Sequence, residues 1–404
     1  MRALIMDMTH GGDILAEEYL ARGAEVVCAD VYGTADPAAM RALAERGAEV
    51  SKEVPPGRYD LALSPAHCPA RFAEGAEPSE SKSFSEAVGD LIRDRRFRVE
   101  ITGMKGKTSA CYVLAHILDA AGRRVFLHTS RGQGPYSGGA HRIERRMSIA
   151  PTSLLRLPPG GYDAIVAECS LGGSGKADIA AVTNLPEDYG IAQGTRRASD
   201  AKAQILTGGV NIVHEREAAL WSRYGKPLRA YGGAVSQAGP FRLGEPLAVV
   251  AECGGVSRRI ELGGSYLSLQ YLEAMSLALE ICRAMGVPPE AAIEALSSFK
   301  GVPGRGEISR EGDVTVVRER NPGISRASVR RTLECLRAAG ALDGAFAILD
   351  PVSRKVCDKL DAGEVSAVAA EFGVGMAIAS PGEPRPRAPP GTGVLIEFVK
   401  EGFQ

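Results

Sequence analysis

The run ITGMKGKTSACYVLAHIL, residues 101–118, constrains the fold of this chain more tightly than any other segment. RVEITG reads as a short strand, the glycines after it as a turn, and SACYVLAHILDAAG as an amphipathic helix. A strand that feeds a helix through such a turn belongs to an α/β sheet, and the turn is an anion site. Gly103 and Gly106 let backbone N–H groups converge on a concavity. Lys107 sets an ammonium against the β- and γ-phosphates, Thr108 offers a hydroxyl to Mg²⁺, and the helix N-terminus adds partial positive charge. The chain carries T-G-x-x-G-K-T rather than the longer G-x-x-x-x-G-K-[ST], whose first glycine would fall on Ile101. Thr102, Gly103, Met104, Lys105, Gly106, Lys107, Thr108 and Ser109 are therefore expected to cradle nucleotide phosphates. The plainer alternative is a glycine-rich turn with an incidental lysine.

A phosphate site of this kind needs a carboxylate for its metal. YDAIVAECSLGG ends an apolar run in Glu168 just before Gly172-Gly173, so Glu168 is expected to hold Mg²⁺ with Thr108. An acid that merely caps the next turn is the alternative. Around this centre the chain alternates strand and helix. ALIMDM, the turn THGGD, the helix ILAEEYLARG and the strand EVVCAD open it as a βαβ unit. The helix PAAMRALAERG, the strand YDLALSP and a Pro-, Ser- and Glu-rich connection from Ala73 to Ser85 lead to the helix SFSEAVGDLIRD. RRVFLHT, YDAIVAEC, IAAVTN and GVNIV read as buried parallel strands. YLSLQYLEAMSLALEICRAMG and PPEAAIEALSSF read as helices, GVPGRGE as a linker, and the remainder as a further α/β alternation. PGEPRPRAPPG reads as a solvated Pro-rich loop. The expected fold class is α/β in three segments: 1–96, Rossmann-like; 97–301, a P-loop domain with a mostly parallel sheet; and 302–404, Rossmann-like again.

Basic and acidic residues number 48 and 49, for a net charge of −1, and aromatics are only 5%. Neither suits a nucleic-acid coat or a stacking surface for single strands. No run of about 18 apolar residues is present and the opening residues do not read as a signal peptide, so a cytoplasmic protein without membrane partners is expected. The eight cysteines stand singly, which predicts free thiols and gives no local support to a zinc or iron–sulfur site.

With these motifs in place, the sequence resembles the Mur ligase superfamily, whose members join a carboxylate to a nucleophile through an acyl phosphate made with ATP. The superfamily loop T-G-[TS]-x-G-K-[TS] stands as TGMKGKT, its strand ending in a magnesium glutamate as IVAECS with Glu168, and its T-N-x-x-x-D-H segment as TNLPEDY with Asn184. Lys202 in ASDAKAQI matches a lysine that is carbamylated in several members. GSYLSLQYLEAM places Gln270 where an Asn meets adenine, and FKGVPGRGE places Arg305 where an arginine reaches the γ-phosphate. The matches keep the superfamily's order from Thr102 to Pro322. The resemblance implies the three-domain Mur-ligase layout, ATP and Mg²⁺ as cofactors, Lys107, Glu168, Lys202 and Arg305 as the catalytic set, and Thr108, Glu168 and Lys202 as metal holders. It implies a monomer or weak homodimer. Departures are Tyr189 for a metal-near His, His214-Glu215-Arg216-Glu217 for N-x-D-D, Tyr266-Leu267 for H-N, and Val317 and Arg320 for an Asp and a His. They point away from an ordinary amino-acid or UDP-sugar substrate.

MDMTHGGD, ITGMKGKTS and FLHTSRG are similar to one branch of the superfamily, which closes a carbocyclic ring on a nickel tetrapyrrole. On that resemblance a propionate is activated by ATP and attacked by a carbon of the macrocycle, and nickel enters only inside the substrate. Such a substrate is rich in carboxylates. Residues 123–146 hold six Arg and two His against one acid, with glycines and a proline breaking the middle into a loop. Arg131, Arg142, Arg145, Arg146 and His128 are the expected substrate contacts there. Thr9, His10, Gly11, Gly12 and Asp13, after the first strand, form the second expected contact. A dinucleotide site with Asp30 on a ribose lacks G-x-G-x-x-G, and Asp30 reads better as a strand-end residue. His10 as a base or as a nickel contact stays open, and the base for carbon attack is not named by the sequence. An amide-forming ligase and a P-loop switch ATPase are the rival readings.

Overall fold

The computed structural model describes residues 1–351, 360–380 and 382–401. The chain divides into two compact units, one of residues 1–111, 123–136 and 141–231, the other of 112–122, 137–140 and 232–404.

The first unit holds two sheets. The first comprises β1 (Arg2–Met6), β2 (Glu25–Ala29), β3 (Glu49–Ser51), β4 (Gly57–Ser64) and β5 (Ala76–Ser83), all parallel, in the order β3-β2-β1-β4-β5. Ala3, Leu4 and Ile5 are wholly buried, as a central parallel strand requires. Helices α1 (Asp13–Ala21), α2 (Pro37–Glu45) and α3 (Phe84–Leu91) connect and flank the strands. Asp36 caps α2 just ahead of Pro37, and Ser83 with Glu86 forms a reciprocal cap on α3, devices worth about 1 kcal/mol each. β5 occupies what the sequence reads as a connection. AEPSESKS pairs only with β4, and an edge strand tolerates the proline and charges that hide it from a hydrophobic pattern.

The second sheet is built on β6 (Arg98–Thr102), followed by helix α4 (Lys107–Ala120), β7 (Val125–Thr129), β8 (Gly132–Ser137), β9 (Ala140–His141), β10 (Ala164–Glu168) and β11 (Ile179–Val182). A two-stranded ribbon, β12 (Gly190–Ile191) with β13 (Arg196–Arg197), precedes the short helix α5 (Ala198–Lys202). β14 (Val210–His214), α6 (Ala218–Ser222) and β15 (Arg229–Tyr231) complete the run. The order is β15-β14-β11-β6-β10-β7-β8-β9, parallel from β15 to β7. β8 turns back antiparallel on β7, so GQGPYS is a strand and not the loop that its glycines and proline suggest. Gly134 is needed there because an added Cβ would lie 1.9 Å from the carbonyl oxygen of Arg142.

Besides the part of α4 from Tyr112 on and Ser137–Ala140, the second unit holds an antiparallel meander that the sequence reading does not name: β16 (Val235–Gln237), β17 (Leu247–Cys253) and β18 (Val256–Leu262). Helix α7 (Leu272–Ala284) packs on β16 and β17, and α8 (Pro289–Ser297) on β17 and β18. A single 3₁₀ turn, Ser268–Tyr271, precedes α7, where the sequence reads one continuous helix. The last sheet holds β19 (Arg305–Glu311), β20 (Val314–Arg320), β21 (Ala345–Asp350), β22 (Gly375–Ile378) and β23 (Val394–Val399), with α9 (Arg326–Ala338) and α10 (Ala362–Glu371). Its order is β19-β20-β23-β21-β22, parallel except for β19 against β20. The expected linker is therefore strand from Arg305 onward.

Among the described residues no helix is long and apolar enough to cross a membrane. The seven described cysteines are free and buried; Cys357 lies outside the described residues.

Candidate active site

The turn after β6 has the backbone that its glycines predict. Gly103 and Gly106 sit at φ 137° and 82°, and α4 starts at Lys107. A Cβ on Gly103 would lie 2.0 Å from Thr183 Oγ1. The end of β11 braces the turn. The Met104 N–H donates to the Asn184 carbonyl (2.7 Å), the Lys105 N–H to Asn184 Oδ1 (3.1 Å), and Thr183 Oγ1 to the Lys105 carbonyl (2.6 Å). Asn184 thus shapes the loop. Lys107 Nζ donates to the Gly103 carbonyl at 3.2 Å.

Glu168, at the end of the neighbouring strand β10, is 3% exposed. Its Oε2 accepts from Thr108 Oγ1 (2.8 Å) and the Ser130 N–H (3.0 Å). Behind it, Glu100 on β6 accepts from the Ser174 N–H (2.7 Å) and from Arg98 (2.7 Å), which holds the glycine turn after Glu168 in place. Lys202, 2% exposed, donates from Nζ to the carbonyls of Gly103 (3.0 Å) and Ser170 (2.9 Å). Burial, aided by the charge of Lys107, pulls its pKa down to about 7. Asp188 accepts from the Ser199 N–H (2.9 Å) and Ser199 Oγ (2.7 Å) and so fixes the helix that carries Lys202. Lys107, Thr108, Glu168, Asn184 and Lys202 are thus brought together around one loop. Thr108 and Glu168 offer hard oxygen donors, the set that Mg²⁺ takes.

The turn after β1 is the second cluster. Met8–Gly12 is a wide turn leading into α1. Asp7 is wholly buried at φ 78°, a strained position for a non-glycine residue. Its Oδ1 accepts from the N–H groups of Thr9 (2.9 Å) and His10 (3.2 Å). Its Oδ2 meets His10 Nδ1 at 2.6 Å and His67 Nε2 at 3.4 Å. Burial alone would push the Asp7 carboxyl up; the hydrogen bond from His10, the close His67 imidazole and the charge on both rings outweigh it and leave the pKa at about 2. Gly11 lies against Thr152, whose Oγ1 would be 1.8 Å from an added Cβ. The segment that bears Thr152 also receives the Ser170 N–H on the Ile149 carbonyl (2.9 Å), so one stretch of chain borders both clusters. Asp13 begins α1, and burial raises its pKa.

The remaining expected contacts have the following surroundings. Arg142, Arg145 and Arg146 are exposed beyond β9, Arg131 is half-buried, and Arg142 pairs with Glu144. His128 is wholly buried in β7, and burial lowers its pKa to about 4 against the opposing charge of Glu168, so it is a neutral interior group. Asp30 closes its own turn by accepting from the N–H groups of Thr34 and Ala35, as a strand-end residue does. Arg305 and Gln270 belong to the second unit, where Gln270 Nε2 donates to Thr332 Oγ1 (3.3 Å). The sequence reading passes over Asp7, His67, Ser130 and Ser170. Asp7 carried a signal, an acid interrupting the apolar run of β1; the others carried none.

No protein-family model matches the chain. Over 415 aligned positions it is 30% identical to the coenzyme F(430) synthetase of Methanosarcina acetivorans, across 91% of this chain and 87% of that protein. The chain belongs to the coenzyme F(430) synthetase family. The coenzyme F(430) synthetase of Methanocaldococcus jannaschii is 26% identical across 91% of this chain and 88% of its own length. The MurF ligase of Thermotoga maritima in complex with ADP superposes with a TM-score of 0.56 over 94% of this chain and 91% of that one, at 16% identity. The fold is that of the Mur ligases, and the protein is an ATP-dependent ligase.

Proposed function

We propose that this ligase uses ATP to activate a propionate carboxylate of a nickel tetrapyrrole and closes a carbocyclic ketone ring on the macrocycle, giving coenzyme F430, ADP and phosphate. The observation that carries the ATP half is Glu168 Oε2 held beside the glycine turn by Thr108 and Ser130. The family likeness over nine-tenths of the chain supports the substrate.

On this reading the turn Gly103–Thr108 binds the triphosphate through its N–H groups, and Lys107 leaves its loop carbonyls for the β- and γ-phosphates. Mg²⁺ held by Thr108 and Glu168 supplies charge neutralisation at the phosphoryl group. The carboxylate attacks the γ-phosphorus, and the acyl phosphate that results carries a good leaving group. With its pKa lowered to about 7, Lys202 has a substantial neutral fraction near pH 7, the form that takes up CO₂ as a carbamate and adds an oxygen ligand to the site. Arg305 is assigned to the γ-phosphate from its motif. Thr9–Asp13 and the exposed Arg142, Arg145 and Arg146 face the polycarboxylate substrate. Residues 1–96, 97–301 and 302–404 serve as substrate, ATP and C-terminal domains in a cytoplasmic monomer or weak dimer.

The test is an anaerobic incubation of the protein with Mg-ATP and the nickel seco-acid. Loss of one water from the tetrapyrrole per ADP formed is the expected result. ADP release only on addition of an amine would make the protein an amide ligase, and hydrolysis with the tetrapyrrole unchanged would make it a switch ATPase.

A further inference from the structure

Ring closure needs a group that accepts the proton of the attacking carbon, and none of the groups around the phosphate turn is suited to it. Lys107 is committed to phosphate, Glu168 to metal, and Lys202, held on the Gly103 and Ser170 carbonyls, to the carbamate. The turn after β1 offers one. In the sheet order β3-β2-β1-β4-β5, successive strands run outward in opposite directions from the β1/β4 pair. The loops leaving the carboxyl ends of β1 and β4 therefore part there and open a crevice, the usual ligand position in an open parallel sheet. Asp7 and His10 follow β1, and His67 follows β4. Tyr32, after β2, stacks on His67 with ring centroids 6.1 Å apart, and the His10 and His67 rings meet edge to face at 4.6 Å. Four side chains from three loops thus meet at the carboxyl end of the sheet, with Asp7 buried beneath the rings.

We propose that His10 is the general base of ring closure, with Asp7 as the residue that positions it and His67 as a second imidazole on the same carboxylate. This rests on the ring-closing reading given above. An ionised Asp7 can only accept, so His10 Nδ1 carries the proton in the 2.6 Å contact and Nε2 carries the lone pair. The same logic orients the histidine of a serine hydrolase. The Asp7 carboxylate is wholly buried and fixed by two backbone N–H groups, whereas the His10 side chain is 32% exposed. In the step, the C–H bond of the macrocycle breaks and its proton passes to His10 Nε2. The carbon pair attacks the acyl carbon and forms the C–C bond, and the C–O bond to phosphate breaks with phosphate leaving. The imidazolium is stabilised by Asp7 and returns its proton to solvent.

The experiment separates the two half-reactions on the full-length protein with Mg-ATP and the nickel seco-acid, using hydroxylamine to trap the acyl phosphate as a hydroxamate. At saturating tetrapyrrole, which offsets a weakened substrate contact, His10→Gln and His10→Ala are expected to form hydroxamate within about tenfold of the unaltered protein while ring closure falls by about 10²–10⁴. Added imidazole is expected to restore part of the closure in His10→Ala. Asp7→Asn, which suits a positive φ, is expected to slow closure with the hydroxamate yield unchanged. Ring closure in His10→Gln within tenfold of the unaltered protein overturns the proposal. Equal loss of hydroxamate and closure at saturating tetrapyrrole also overturns it, since His10 would then act before ring closure and not in it. If the unaltered protein makes neither ADP nor hydroxamate from the tetrapyrrole, the functional reading fails, and the base assignment fails with it.

Discussion

Two turns in the first unit have the same topological place and opposite chemistry. The turn after β6 and the turn after β1 both leave the carboxyl end of a central strand in a parallel sheet, and both use glycines to enter a helix. The first surrounds its concavity with Lys107 and Lys202 and keeps its one acid, Glu168, beside a hydroxyl. The second buries an acid, Asp7, and gathers imidazoles around it. The sheet edge supplies a position, and on the functions proposed above the side chains decide whether that position takes phosphate or moves a proton. The first turn is read from one continuous run of sequence; the second needs residues from two strands.

The comparison breaks most sharply at Lys107. Lys107→Ala should lower hydroxamate formation and ring closure together by about 10³-fold with the fold intact, because charge on the transferring phosphoryl goes unmatched. A loss confined to ring closure would assign Lys107 to the wrong half-reaction. Gly11→Ala should cost about 3 kcal/mol in denaturant unfolding, since both its φ of 97° and the Thr152 hydroxyl oppose a Cβ. Gly106→Ala meets open space at φ 82° and should cost only about 1 kcal/mol, so its effect should appear in ATP binding instead. Between these lies the acid dependence of Asp7. Its pKa of about 2 in the fold lies below the 3.8 of an unfolded chain, so its stabilisation is present above pH 3.8 and is lost as pH falls towards 2. Asp7→Asn should remove about 2 kcal/mol of that pH-dependent stability, measured as the difference in unfolding free energy between pH 5 and pH 2.

What the sequence shows of this molecule follows from how local the cause is. The phosphate turn, Glu168 and the buried strands were legible because their chemistry sits in consecutive residues with a clear period. β5 was not, because an edge strand has no second neighbour to demand apolar residues. β8 was hidden by glycines that serve close backbone approach rather than a turn. The Asp7–His10–His67 group was half legible: THGGD marked His10, but His67 joins it only through the parallel pairing of β1 with β4. Arg305 reads as linker and folds as the first residue of β19, since GVPGRGE has turn composition while the pairing partner lies downstream on β20.

The central claim is that ATP activates the tetrapyrrole's own carboxylate at the phosphate turn. A nickel seco-acid carrying ¹⁸O in the propionate carboxylate tests it most directly. One ¹⁸O in the inorganic phosphate for each ring closed is the result this mechanism requires, because the oxygen bridging acyl carbon and phosphorus leaves with phosphate. Unlabelled phosphate from a single turnover that closes the ring would contradict it.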